Sequence, residues 1–187
     1  MAQPRSEIQA VEAPLAAGTP LVLSCAMQIE AAEPVDGKPA LPRFRMIAYT
    51  GGAMQVTGWR YPVIVDLSGL GIPSQSRPIR MGHDPAQGIG HTDTIRVDGS
   101  KLVATGVVSR DTFAAKEVVA SSRNGFPWQA SIGAAVQEAE FVKENQKATV
   151  NGREVAGPVN IVRKATLGEI SFVDLGADGN TSANVAA

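Results

Sequence analysis

From Trp128 to Val136 the residues alternate. Trp128, Ala130, Ile132, Ala134 and Val136 form one row, and Gln129, Ser131 and Gly133 form the other. A period of two predicts a strand with one buried face, and it places Ser131 on the wetter side. The same reading predicts strands over 21–29 and 44–49, with a turn at Gly51 and Gly52. The continuous apolar run YPVIVDL, 61–67, predicts a short strand covered on both faces. A further short strand is expected over 79–83, leading into the loop HDPAQGIGHTD. Two alternating runs, 94–97 and 101–108, flank Asp98-Gly99 and predict a β-hairpin; Val150-Asn151-Gly152-Arg153 predicts the turn of a second. Strands are also expected over 158–162 and 167–173.

One segment has the character of a helix, about 111–124. Asp111 is placed to cap its start, and Gly125 to end it in the left-handed conformation. Phe113, Val118, Val119 and the alanines supply its apolar side. Residues 30–43 read as turn and loop. Residues 1–19, rich in Ala, Pro, Gln and Glu without a clear period, read as a mobile arm. Residues 183–187 read as a short tail, which leaves 20–182 as one domain. Many short strands with one or two helices, joined mostly by hairpin turns, predict a mainly β (α+β) chain. Its expected architecture is a small antiparallel β-barrel, or a sandwich, with one or two flanking helices.

Composition narrows the function. At 187 residues the chain can bury roughly two-thirds of its unfolded surface, so stability requires neither disulfide nor metal. A net charge of -1 argues against a broad nucleic-acid surface. Cys25 is the only cysteine, so no intramolecular disulfide can form; in LVLSCAM it reads as a small strand residue rather than a nucleophile. No stretch approaches about 18 uninterrupted apolar residues, and no transmembrane helix is expected. Arg5, Glu7 and Glu12 precede an apolar run broken by Gly18, Thr19 and Pro20, so no signal peptide is expected either.

The candidate chemistry centres on two histidines, His83 in MGHDPAQG and His91 in IGHTD. One reading makes His83, Asp84, His91 and Asp93 metal ligands. Pro85, Gly88 and Gly90 break the helix that would bring the two histidines together. The other makes one histidine a general base for a hydroxyl elsewhere, which needs a serine on a well-packed strand. Ser131 fits best and Ser171 is the nearest competitor. Gly133, next on the face of Ser131, would leave open space for a substrate backbone. Glu169 shares a face with Ser171, opposite Ile170 and Phe172, and is a candidate to orient the histidine. Asp84 is the alternative, although adjacent residues on an extended chain point apart.

Three stretches together, MGHDPAQGIGHT, NGFPWQASIGAA and LGEISFVDLGADGNTSA, resemble in order and rough spacing the prohead (head-maturation) serine proteases of tailed phages. That family's fold is related to the herpesvirus assemblin proteases. The resemblance spans about residues 44–182. It implies a serine endopeptidase on a small β-barrel, acting without a cofactor or metal. Its substrates would be the major capsid protein, the scaffold protein and the protease itself, cut inside the immature capsid in the host cytoplasm. Neither nucleic acid nor membrane is implied as a partner, and a homodimer is compatible with the family. The nucleophile of its SxG motif falls on Ser131, the histidine of its HD motif on His83, and the acid of its ExS motif on Glu169. His91 would be an assistant or incidental. The oxyanion donors would be backbone amides near Ser131 and in a facing loop, with Arg163 a candidate charged neighbour. A catalytically inactive β-barrel assembly or scaffold module with the same fold is the alternative.

Overall fold

The computed structural model describes residues 20–30, 41–56, 59–177 and 184–185, with backbone only in the first and last of these. The proposed N-terminal arm, most of the 30–43 loop and most of the tail therefore lie outside the described residues. The strands are β1 (Pro20–Glu30), β2 (Arg43–Tyr49), β3 (Val63–Val65), β4 (Leu70–Gly71), β5 (Pro78–Met81), β6 (Gly88–Asp98) and β7 (Lys101–Val107). The helix α1 (Phe113–Arg123) follows, then β8 (Gln129–Val142), β9 (Lys147–Val150), β10 (Arg153–Ala156), β11 (Val159–Val173) and β12 (Asn184–Val185).

The main sheet curls on itself. Pairing runs from β1 through β2, β7, β6 and β5 to β11, and β8 joins β11 back to β1. The sheet is mixed rather than wholly antiparallel, because β3, β4 and β5 all pair with β11 in parallel. Parallel neighbours need a long connection between them. Here it is the excursion through β6, β7, α1 and β8, which brings the chain back to run beside β5 in the same direction. The row Trp128, Ala130, Ile132, Ala134 and Val136 faces the core, as the alternation predicts. It meets Ile170 and Phe172 from β11, and Phe172 packs edge-on against Phe44 and Trp128 with ring centroids 6.0 Å apart in both pairs. Burying each such side chain contributes about 1.5–3 kcal/mol.

Both predicted hairpins form. Asp98 pairs with Lys101 across Gly99-Ser100, and Val150 with Arg153 across Asn151-Gly152. Asn151 and Gly152 have φ of 50° and 73°, the positive pair that a tight hairpin turn requires. Three expectations change. The strand expected from Thr94 begins at Gly88, inside the segment read as loop. Gly90 lies against Val107 O, where a Cβ would collide, so the glycines that suggested a loop allow a close strand crossing. The two strands expected over 158–162 and 167–173 are one strand, β11, with irregular register between Val162 and Ala165 and between Leu167 and Glu169. At α1 the cap is Thr112, not Asp111: Thr112 Oγ1 accepts from Ala115 N (3.1 Å) and donates to Gly88 O (2.7 Å). Asp111 instead pairs with Lys116 at 2.7 Å. Phe113 is 81% exposed, and the helix buries Ala114, Ala115, Val118 and Ser122. Gly125, at φ 79°, ends the helix as expected. Among the described residues no helix is long and apolar enough to cross a membrane.

Candidate active site

The site forms where β5 ends against β8 and β11. Strand β5 stops at Met81, two residues short of the expected end. Gly82 and His83 then take φ of 59° and 63° and turn the chain out of the sheet. A left-handed conformation at a non-glycine residue costs roughly 1–2 kcal/mol and persists only when its surroundings hold it. Three bonds hold this one. Gly82 N donates to Phe172 O (2.9 Å), Asp84 N to Met81 O (3.1 Å) and His83 N to Ser171 Oγ (3.2 Å).

Register supplies the rest. Ser131 on β8 pairs with Ser171 on β11, and Gly133 with Glu169. Ile132 and Ile170 face the core, so Ser131, Glu169 and Ser171 share the opposite face, and the turn at His83 lays its ring over them. His83 Nδ1 lies 2.6 Å from Glu169 Oε1, and His83 Nε2 lies 2.7 Å from Ser131 Oγ. A carboxylate can only accept, so Nδ1 carries the hydrogen and Nε2 of the neutral ring accepts from the Ser131 hydroxyl. This arrangement can draw a proton from a hydroxyl and stabilise the resulting imidazolium.

Comparison with known proteins gives a likeness among solved structures. No family model and no curated protein matches the chain. Among solved structures, the bacteriophage T4 capsid assembly protease, gp21, is similar at 15% identity and a TM-score of 0.41, over 82% of this chain and 97% of that chain.

Two readings of this face change. Ser131 is not on a wet face: it is 0% exposed, Glu169 is 7% exposed, and the His83 side chain retains 20%. Gly133 does not leave room for a substrate backbone. Its Cβ position is taken by the Glu169 carboxylate, and a Cβ there would collide with Oε1. A third expectation is narrowed. β8 is paired on both sides from Gln129 to Ala135, so the backbone amides of Ser131 and its strand neighbours are taken up by ladders.

The remaining candidates lie elsewhere. Asp84 accepts from Ala86 N (2.8 Å) and Gln87 Nε2 (3.2 Å), whereas the His83 ring bonds Glu169 and Ser131. Those bonds, with the nearby Arg80 charge, hold its carboxyl below the ordinary value. His91 Nδ1 bonds Ser109 Oγ at 2.8 Å, and its Nε2 is 4.0 Å from Asp93. Among the described residues no three His, Cys, Asp or Glu side chains are placed to hold a metal ion. Arg163 is committed to Glu140 (2.7 Å) and Asp66 (3.0 Å), in the part of β11 beside β3 and away from the site. The Cys25 side chain lies outside what is described. Two contributors are not apparent from the sequence. Ser171, by sequence a competing nucleophile, donates to Glu169 Oε2 at 2.6 Å. The Arg77 guanidinium bonds Gly168 O at the bulge next to Glu169. The spacing Glu169-x-Ser171 was the available signal for the first; nothing local signals the second.

Proposed function

We propose that the protein is a serine endopeptidase of phage capsid maturation, with Ser131 as nucleophile, His83 as general base and acid, and Glu169 as the group that orients and charge-balances the ring. The observation that carries this reading is the single chain of hydrogen bonds from Glu169 Oε1 through the His83 imidazole to Ser131 Oγ. Ser131 Oγ attacks a peptide carbonyl as its proton passes to Nε2. The imidazolium then protonates the leaving amine, and an acyl-enzyme ester remains on Ser131. A water molecule gives its proton to Nε2 and attacks the ester, and the proton returns to Oγ as the acid product departs. The three stretches resembling prohead proteases supply the substrate class: the major capsid and scaffold proteins, and the enzyme itself, inside the immature capsid.

The test is co-expression with the capsid and scaffold proteins of the same genome, wild type against Ser131→Ala, read by product mass. The variant is expected to fold and to lose on the order of 10⁴-fold or more of cleavage. Undiminished cleavage by Ser131→Ala would overturn the assignment. A wild type that co-assembles with capsid protein but cuts nothing points instead to an assembly module.

A further inference from the structure

The bonds around His83 close into a circuit. Its ring reaches Glu169 Oε1 at 2.6 Å, and Glu169 Oε2 accepts from Ser171 Oγ at 2.6 Å. Ser171 Oγ in turn accepts from the backbone N–H of His83 at 3.2 Å. Directions are dictated by chemistry. A backbone N–H can only donate and a carboxylate can only accept, so the one hydroxyl hydrogen of Ser171 goes to Glu169 and its lone pair faces His83 N. Ser171 is 0% exposed, so water does not compete for either bond. The circuit grips one residue at two points, its ring and its left-handed backbone.

We propose that Ser171 is a positioning residue of this site. It holds the Glu169 carboxylate and the His83 turn in one fixed relation, so that the imidazole keeps Nδ1–H on Glu169 and Nε2 on Ser131. The proposal rests on the reading of Ser131, His83 and Glu169 as the reacting group. Without the hydroxyl, the second carboxylate oxygen and the His83 amide both lose a buried partner. The carboxylate charge is also less shared, which favours both its own protonation and retention of a proton by the imidazole. Each effect moves the acid limb of activity in the same direction, to higher pH.

The experiment measures the rate at which a fluorophosphonate probe labels the intact protein across pH. Wild type, Ser171→Ala, Ser171→Thr, Glu169→Gln and Ser131→Ala are compared, each with a thermal melt. Ser171→Ala removes only the hydroxyl and is expected to melt as a folded protein. It should label roughly 10- to 100-fold more slowly, the size expected for losing a hydrogen bond to a charged group, with its acid limb displaced upward. Ser171→Thr, which keeps the hydroxyl, should recover most of the rate if it melts cooperatively. A Ser171→Ala protein that labels at the wild-type rate, or that labels more slowly with its acid limb unmoved, overturns the proposal; the latter outcome marks a merely structural serine. Labelling that survives in Ser131→Ala overturns the reading of the site itself, and the proposal with it. Labelling abolished by Ser131→Ala but untouched by Ser171→Ala sinks the proposal alone.

Discussion

Gly133 limits what the site tolerates at the level of a single atom. Its missing side chain is the space the Glu169 carboxylate occupies: beyond the collision with Oε1, a Cβ would stand 3.1 Å from Cδ and 3.2 Å from Cγ. Gly133→Ala is therefore expected to turn the carboxylate off His83. Activity should fall toward that of Glu169→Gln, a loss of up to roughly 10⁴-fold when the group orienting a catalytic histidine is disabled. A melt beside the cleavage assay separates this from unfolding, and an alanine variant with full activity would refute the packing argument. At this scale the sequence was legible where a period of two applied. Ser131 and Gly133 share one face of β8, and Glu169 and Ser171 share one face of β11. It was misleading where the third dimension intervened. The face of Ser131 reads as wet because its neighbours in sequence are small or polar, whereas residues 83 and 169 cover it. The positive φ of His83 had only a weak local sign: histidine is enriched among left-handed residues, yet few non-glycine residues adopt that conformation.

At the scale of elements, caps and hairpins carried most of the readable information. Gly99 and Asn151-Gly152 predicted their turns because those residues tolerate the positive φ the turns need, 60° at Gly99 and 50° and 73° at Asn151 and Gly152. The sequence places the helix cap one residue early, at Asp111 rather than Thr112. Asp111 and Thr112 are both plausible caps by type, and the choice fell to Thr112 because its hydroxyl also reaches Gly88 O on β6. Thr112→Ala is accordingly expected to lower stability by about 1 kcal/mol, within the 0.5–2 kcal/mol usual for a lost cap. Asp111→Ala should change it little, since that residue is exposed and its ion pair lies on the surface. Denaturant unfolding of both variants checks this, and equal losses would return the cap to Asp111. Boundaries at β6 and β11 were not legible. Glycines at 88 and 90 signal a loop locally, yet pairing with β5 and β7 makes the segment a strand.

At the scale of the whole molecule, β11 is the shared partner of β3, β4, β5 and β8. Arg163, within it, links Asp66, which follows β3, to Glu140 on β8 and also donates to Thr149 O on β9. Burial pushes the Asp66 carboxyl up, but hydrogen bonds from Ser68 and Arg163, with the Arg163 charge, together hold it below its ordinary 3.8. A depressed folded value means the contribution is complete above 3.8 and is lost as pH falls through the lower folded value. Arg163, raised by Glu140 and Asp66 against the opposing effect of burial, stays charged throughout. Asp66→Asn is expected to melt below wild type at neutral pH, with the gap closing as pH drops beneath 3.8. A gap independent of pH would show that the carboxylate charge is not what matters.

The sequence by itself determined the strand faces, the two tight turns and the end of the helix at Gly125. Each of these depends on residues within a few positions of one another, where period and backbone preference act directly. Only the tertiary structure decided that His83 meets Ser131, 48 positions away, and Glu169, 86 positions away. That meeting depends on the register of β8 against β11, on the parallel return of β11 beside β5, and on a left-handed turn held by a hydroxyl from another strand. Register is set by how two whole faces pack and pair. No single stretch of the chain contains both faces.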